Sequence, residues 1–283
     1  MAIQFPKIKQ LLAMLNQEKF KACFDDYIQA ALRTEVYIRF WNDFLKISIK
    51  KYKQENPVNR WISESGFAIY DFPPDGKNVW LNVSPATFTI EIDDLTRHSI
   101  SFFSYTMSLS LVNMYNAIEF LLLRAIKYRH FPDLADPIDG KKETNKVIAA
   151  IKEYLKNEKV DIDTKNNRYI LAFLRRTSSD IESFCNLGVN SVNWSTNWKN
   201  FYELFSILRN IITHHNMIIE PNVRNEINSI ARDIFNHYFQ QPQDRNAADV
   251  LAFKDEQFFL NFINHVNEFG GNMVKFIAGE SDM

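Results

Sequence analysis

Apolar residues recur at intervals of three and four over most of the chain, the spacing that places them on one face of an α-helix. The first such stripe runs from Phe20 to Tyr52 and stops before Pro57, a residue that cannot continue a helix. The pattern therefore predicts one long helix over 18–55. Six further helices are predicted by the same spacing, at about 94–130, 142–158, 165–186, 197–215, 221–240 and 255–278.

Residues 66–92 have a different pattern. The runs GFAIYDF, NVWLNV and TFTIEI are short and rich in β-branched and aromatic residues, and Pro-Pro-Asp-Gly and Ser-Pro separate them. Such runs predict a small β-hairpin or three-stranded meander. The expected fold class is therefore mainly α, with 1–93 forming a long N-terminal helix plus a small β element and 94–283 forming a helical bundle.

Composition excludes several classes of function. Hydrophobic residues make up 46% of the 283 positions, which is enough for a large core, whereas only seven glycines are present. No GxxxxGK[ST], GxGxxG or GxSxG motif occurs, so nucleoside triphosphate hydrolysis, dinucleotide use and serine hydrolase chemistry lack their motifs. Two cysteines and the absence of a secretory signal favour a cytoplasmic location.

One stretch, 100–123, is apolar enough to suggest a membrane span. Asn113, Asn116 and Glu119 interrupt it, together with several serines. A span requires about 20 mainly apolar residues with few charges, so we expect a buried helix here and no membrane partner.

The formal charge of −1 hides an uneven distribution. Residues 1–60 hold 11 basic and 6 acidic side chains, and 141–176 hold 10 basic and 5 acidic ones. These two segments can form a patch for a polyanion, or they can be solvated helix faces packed beside acidic ones.

The candidate catalytic residues lie in the segment FYELFSILRNIITHHN, residues 201–216. On a helix of about 100° per residue, one row of this segment is apolar and predicts a core face: Leu204, Leu208, Ile211 and His215. A second row is polar and separate from it: Ser206, Asn210 and His214. His215 is therefore expected at the core edge or at the helix end. Arg209 lies about 140° from His214, so the two meet only if the helix ends or bends there or if a substrate bridges them.

Arg209-Asn210-x-x-x-His214 resembles the R-polar-xxx-H signature of the HEPN superfamily of helical-bundle proteins. Residues 115–126 are similar to the first core helix of such domains, in which a small residue and an acid face inward. The resemblance covers about 94–240. It implies a bundle of four to five helices that forms a homodimer, with the motifs of two protomers in one cleft.

For active members, the resemblance implies RNA cleavage without a metal or other cofactor, in a toxin or defence effector that an antitoxin protein can bind. The residue types suit this chemistry. An imidazole can transfer protons at neutral pH, a guanidinium can hold a phosphate and its developing charge, and the Asn210 amide can orient either group. Two alternatives are a non-catalytic HEPN-like module that binds RNA, nucleotide or protein, and a purely structural role for Arg209 and His214.

Three further residues are candidates for binding: Glu119, His215 and Arg124. Glu119 lies in an apolar helix, where its carboxylate either pairs with Arg209 or Arg124 near the site or bridges to another helix within the core. His215 adjoins the motif. A metal site is not expected, because no HExxH occurs and adjacent histidines on a helix point apart.

Overall fold

The computed structural model describes residues 18–55, 61–65, 68–71, 80–83, 87–91, 94–160, 168–189, 194–240 and 249–279. The chain is mainly helical, as predicted. Eight α-helices lie within these ranges: α1 Glu18–Glu55, α2 Leu95–His130, α3 Lys141–Asn157, α4 Arg168–Thr177, α5 Ser179–Asn186, α6 Trp198–His214, α7 Pro221–Tyr238 and α8 Glu256–Ala278. Their ends differ from the predicted ones by a few residues.

The predicted helix over 165–186 is two helices, α4 and α5, and 161–167 lie outside the described residues. Between them, Ser178 has an extended backbone, and its hydroxyl accepts a hydrogen bond from Ile181 N–H at 3.3 Å. The Thr177 hydroxyl donates to the carbonyl of Phe173 at 3.0 Å. Hydroxyl side chains compete with the helical ladder, so these neighbours end one helix and cap the next.

Four short strands lie between α1 and α2: β1 Trp61–Ser65, β2 Ala68–Asp71, β3 Trp80–Val83 and β4 Thr87–Glu91. In the predicted meander each strand pairs with the next one. Here β2 pairs antiparallel with β3, from Ala68 opposite Val83, whereas β1 pairs antiparallel with β4, from Trp61 opposite Glu91. The turns predicted at Pro73–Gly76 and Ser84-Pro85 lie outside the described residues.

The chain divides into two compact units, and the division differs from the predicted boundary at 93/94. One unit contains Arg39–Ser104, with the four strands and one end each of α1 and α2. The other contains the described residues up to Ile38 and from Tyr105 onward. A helical stripe continues without interruption from one unit into the next, so periodicity alone gave no signal for a boundary inside α1 and α2.

Aromatic side chains of α6 and α8 form the core of the larger unit. Phe201 and Phe205 of α6 pack against Phe262 of α8, with ring centroids 5.3 Å and 5.9 Å apart. Gly270 brings α8 close to α2, because a Cβ at that position would lie 3.0 Å from the Ile118 side chain. α6 and α2 therefore both pack against α8, which holds α6 in a fixed orientation in the core.

Within the described residues, one helical segment is long and apolar enough to cross a membrane, Phe102–His130. Its most apolar window has a mean hydropathy of 1.3, and 56% of that window is buried inside the fold. Leu111, Met114 and Ile118 have no exposed surface at all. Burial of this kind is typical of a core helix, which is what the interrupted pattern over 100–123 predicts.

Candidate functional site at the end of helix α6

A left-handed turn ends α6 at the predicted motif. The N–H of His215 still bonds to the carbonyl of Ile211 at 3.1 Å. Asn216 and Met217 then have positive φ values of 49° and 64°, a conformation that commonly terminates helices. His214 is therefore the last helical residue, and its side chain is exposed.

The beginning of α6 is tied to α7 by one carboxylate. Asp233 accepts hydrogen bonds from the backbone N–H and the hydroxyl of both Ser195 and Thr196. Burial alone would raise the pKa of the Asp233 carboxyl, but these hydrogen bonds, above all that of the Thr196 hydroxyl, hold it below its usual range. Asn200 of α6 also donates to the carbonyl of Ile230 at 3.0 Å, beside a kink in α7.

The exposure of the α6 side chains agrees with the predicted apolar row and agrees only partly with the predicted polar row. Leu204, Leu208 and Ile211 are at most 1% exposed. Ser206, predicted in the polar row, is also 1% exposed and accepts a hydrogen bond from the Tyr115 hydroxyl at 3.3 Å. Because α6 is covered on most of its circumference at this level, the row becomes polar surface only at the helix end.

The structure brings Arg209, Asn210 and His214 together. Nη1 of Arg209 donates to Oδ1 of Asn210 at 2.9 Å and lies 3.4 Å from Nε2 of His214. The helix ends at His214, and the arginine side chain is long enough to reach around from its own face. Arg209 and His214 are about 140° apart on the helix, and they meet because the helix ends there, which is one of the possibilities stated above.

The contact places the imidazole of His214 beside a permanent positive charge. A guanidinium has only donors, so Nε2 serves as the acceptor when the two groups share a hydrogen bond. Solvent reaches the ring because His214 is exposed. An imidazole in this position can exchange a proton with a group bound to the guanidinium.

Glu119 of α2 and Arg209 of the motif both act on the hydroxyl of Tyr115. Burial raises the pKa of this hydroxyl, the Glu119 carboxylate raises it further, and Arg209 acts in the opposite direction. Arg209, one of the two arginines predicted as partners of Glu119, therefore acts on the same hydroxyl as that carboxylate.

Arg124 is held elsewhere. Its Nη1 donates to Asp26 at 2.6 Å, and its Nε donates to Asp136 at 3.0 Å. The arginine side chain is only 6% exposed, and Tyr128 also donates to Asp136. Arg124 therefore joins α1, α2 and the loop before α3, and the structure does not bring it to the motif.

His215 is at the helix end and not at the core edge. Its side chain is 39% exposed, and its Nδ1 lies 3.3 Å from Oε1 of Glu220. Because the left-handed turn begins directly after it, His215 no longer follows the apolar row of α6.

Three arginines of the basic segment 141–176 form ion pairs with acidic side chains. Arg168 pairs with Glu226, Arg175 with Glu182 and Arg176 with Glu158. These pairs match the alternative in which the basic segments are helix faces packed beside acidic ones.

A small pocket adjoins the motif between α6 and α7, and the sequence did not reveal it. Its volume is about 110 Å3, and its lining consists of Ile207, Asn210, Ile211, His215, Val223 and Glu226. Val223 and Glu226 come from α7, where their spacing of three residues indicates only a shared helix face. Which side of α7 faces the motif is decided by tertiary packing.

Other chemistry has little support in the described part of the chain. No group of three or more His, Cys, Asp or Glu side chains is placed there to hold a metal ion. Cys23 and Cys185 are both buried, and burial raises the pKa of the Cys185 thiol to about 12, which disfavours a nucleophilic thiolate.

Comparisons with known proteins identify no relative: no family model matches the chain, and no curated protein and no solved structure matches it either.

Proposed function

We propose that this protein is a metal-independent endoribonuclease of the HEPN type. The observation that carries the proposal is the 3.4 Å contact between Nη1 of Arg209 and Nε2 of His214 at an exposed helix end. A permanent cation and an imidazole in contact supply charge stabilisation and one proton-transfer group for cleaving RNA through its own 2′-hydroxyl.

In this mechanism the bound phosphate replaces His214 as the acceptor for Arg209. The freed Nε2 takes the proton of the 2′-hydroxyl, and the 2′-oxygen forms a bond to phosphorus. The bond from phosphorus to the 5′-oxygen breaks, and that oxygen receives a proton from the imidazole of the partner's His214, which is the acid of the pair. Arg209 stabilises the charge that develops on the phosphate oxygens. The products are a 2′,3′-cyclic phosphate and a 5′-hydroxyl.

Asn210 acts on Arg209 in this proposal. Its Oδ1 accepts from Arg209 Nη1 at 2.9 Å, which holds the guanidinium at the helix end. Glu119 acts with Arg209 on the Tyr115 hydroxyl in opposite directions, and in this proposal its carboxylate is a further partner of the arginine.

Cleavage of single-stranded RNA by the purified protein tests the proposal directly. We expect cleavage to continue in EDTA and to stop when the scissile nucleotide carries a 2′-deoxy sugar, because that hydroxyl is the nucleophile. Mass spectrometry of the fragments should detect the cyclic phosphate. RNA that binds but is never cut, over varied substrates and pH, would favour the alternative of a non-catalytic HEPN-like binding module.

The proposal includes a homodimer with the end of α6 near the two-fold axis. One imidazole supplies one proton-transfer group, and a symmetric pair would supply both the base and the acid. We expect light scattering at micromolar concentration to give twice the 33.3 kDa mass of the chain. A strictly monomeric, active enzyme would contradict this part.

We also propose that the protein acts in the cytoplasm as a toxin that an antitoxin protein binds.

A further inference from the structure

The pocket beside the motif has the lining expected for a planar heteroaromatic ring. Ile207, Ile211 and Val223 form apolar walls, and the other three lining residues are polar. Its volume of about 110 Å3 is far below the roughly 300–1,000 Å3 of pockets that hold drug-sized ligands. A pocket of this size accommodates one planar nucleobase and leaves the rest of a nucleotide outside.

Asn210 connects this pocket to the Arg209–His214 pair. It lines the pocket, and its amide oxygen accepts the hydrogen bond from Nη1 of Arg209. The same Nη1 is the atom in contact with His214. A ring in the pocket therefore has its attached sugar and phosphate within reach of the guanidinium.

Glu226 favours ligands whose ring edge carries N–H donors. A carboxylate only accepts hydrogen bonds, and Glu226 accepts one through Oε1 from Arg168. The ion pair balances its charge, so a neutral ligand with N–H donors is a suitable partner. Glu226 lines the pocket, and its side chain is 41% exposed, so the ion pair with Arg168 does not cover it completely.

On the basis of the proposed function, we propose that this pocket binds a nucleobase next to the scissile phosphate and prefers guanine. Guanine presents two adjacent N–H donors, N1–H and the N2 amino group, which match the two oxygens of a carboxylate. Uracil presents a single N–H between two carbonyl oxygens, and a carboxylate repels those oxygens. A good bidentate pair discriminates by about tenfold or more.

The experiment compares the wild-type protein, Glu226→Gln and the control Glu153→Gln, which removes an exposed carboxylate on α3. Cleavage rates are measured on RNA oligonucleotides that differ at one position, with guanosine, inosine or uridine. Inosine lacks only the N2 amino group. Binding of guanosine 3′-monophosphate and uridine 3′-monophosphate is measured separately by calorimetry. If Glu226→Gln does not fold, Val223→Phe replaces it in the experiment, because this change fills the pocket from a half-exposed position.

We expect the wild type and Glu153→Gln to favour guanosine over uridine by about tenfold, with inosine between them, and Glu226→Gln to lose this preference. Cleavage without base preference, or an unchanged preference in Glu226→Gln, would overturn the pocket assignment and leave the ribonuclease in place. Guanosine-selective binding that Glu226→Gln abolishes, without any cleavage, would support the pocket and reject the ribonuclease. Absence of both cleavage and selective binding would reject both.

Discussion

Replacing either Arg209 or His214 by alanine is expected to reduce RNA cleavage by about 10²-fold or more. General acid–base catalysis contributes about 10²–10⁴-fold, and loss of one charge-stabilising donor costs about 10²–10³-fold. His214 is exposed and Arg209 half-buried at a helix end, so neither change should disturb the core. Single-turnover cleavage rates, with melting temperatures measured in parallel, check this expectation.

A control variant separates catalysis from general effects of charge. Arg176→Ala removes an arginine whose side chain is 59% exposed on α4. This variant should retain cleavage within a few fold. Full activity in Arg209→Ala or His214→Ala would contradict the proposed roles. Lost cleavage with retained RNA binding in His214→Ala would assign proton transfer to the imidazole.

The second large effect concerns stability. Arg124→Ala is expected to lower the free energy of unfolding by about 3 kcal/mol, because it leaves the carboxylate of Asp136 in a largely buried position without its cation. The Asp136 side chain is 15% exposed, and its pKa is held below the usual range by Tyr128, Ile138 N–H and Arg124 despite its burial. Urea unfolding followed by circular dichroism gives the change.

Arg33→Ala is the matched control, since Arg33 is an exposed arginine on α1. Surface substitutions of this kind change the free energy of unfolding by less than about 0.5 kcal/mol. An Arg124→Ala variant as stable as Arg33→Ala would indicate that the contacts with Asp26 and Asp136 contribute little.

The helices were predictable because periodicity is a local property of the chain. The break at Ser178 was missed because a hydroxyl cap changes the hydrogen bonding without interrupting the apolar stripe. Strand segments are equally local, but the pairing of β1 with β4 joins residues far apart in sequence. No pattern within either strand specifies its partner.

In the candidate site, too, the local features were predictable and the tertiary ones were not. The positions of Arg209 and His214 near a helix end follow from the sequence, whereas the 3.4 Å contact between them depends on how far a flexible arginine reaches. Helical spacing placed His215 on the core face, and the left-handed turn after it removed it from there. The contribution of Glu226 required α6 and α7 to pack together, which no local pattern contains.

The Asp233 carboxylate joins the start of α6 to the second half of α7, and the turn after His214 joins the other ends of the two helices. This pair of helices is therefore closed at both ends. The turn is local in sequence, and the Asp233 contacts span 37 and 38 residues, whereas the contact between Tyr115 of α2 and Ser206 of α6 spans 91. Contacts of low sequence separation require little loop-closure entropy and form early during folding. The helix pair that carries the motif and the pocket is thus suited to be a folding nucleus, assembled before α2 and α8 complete the core around it.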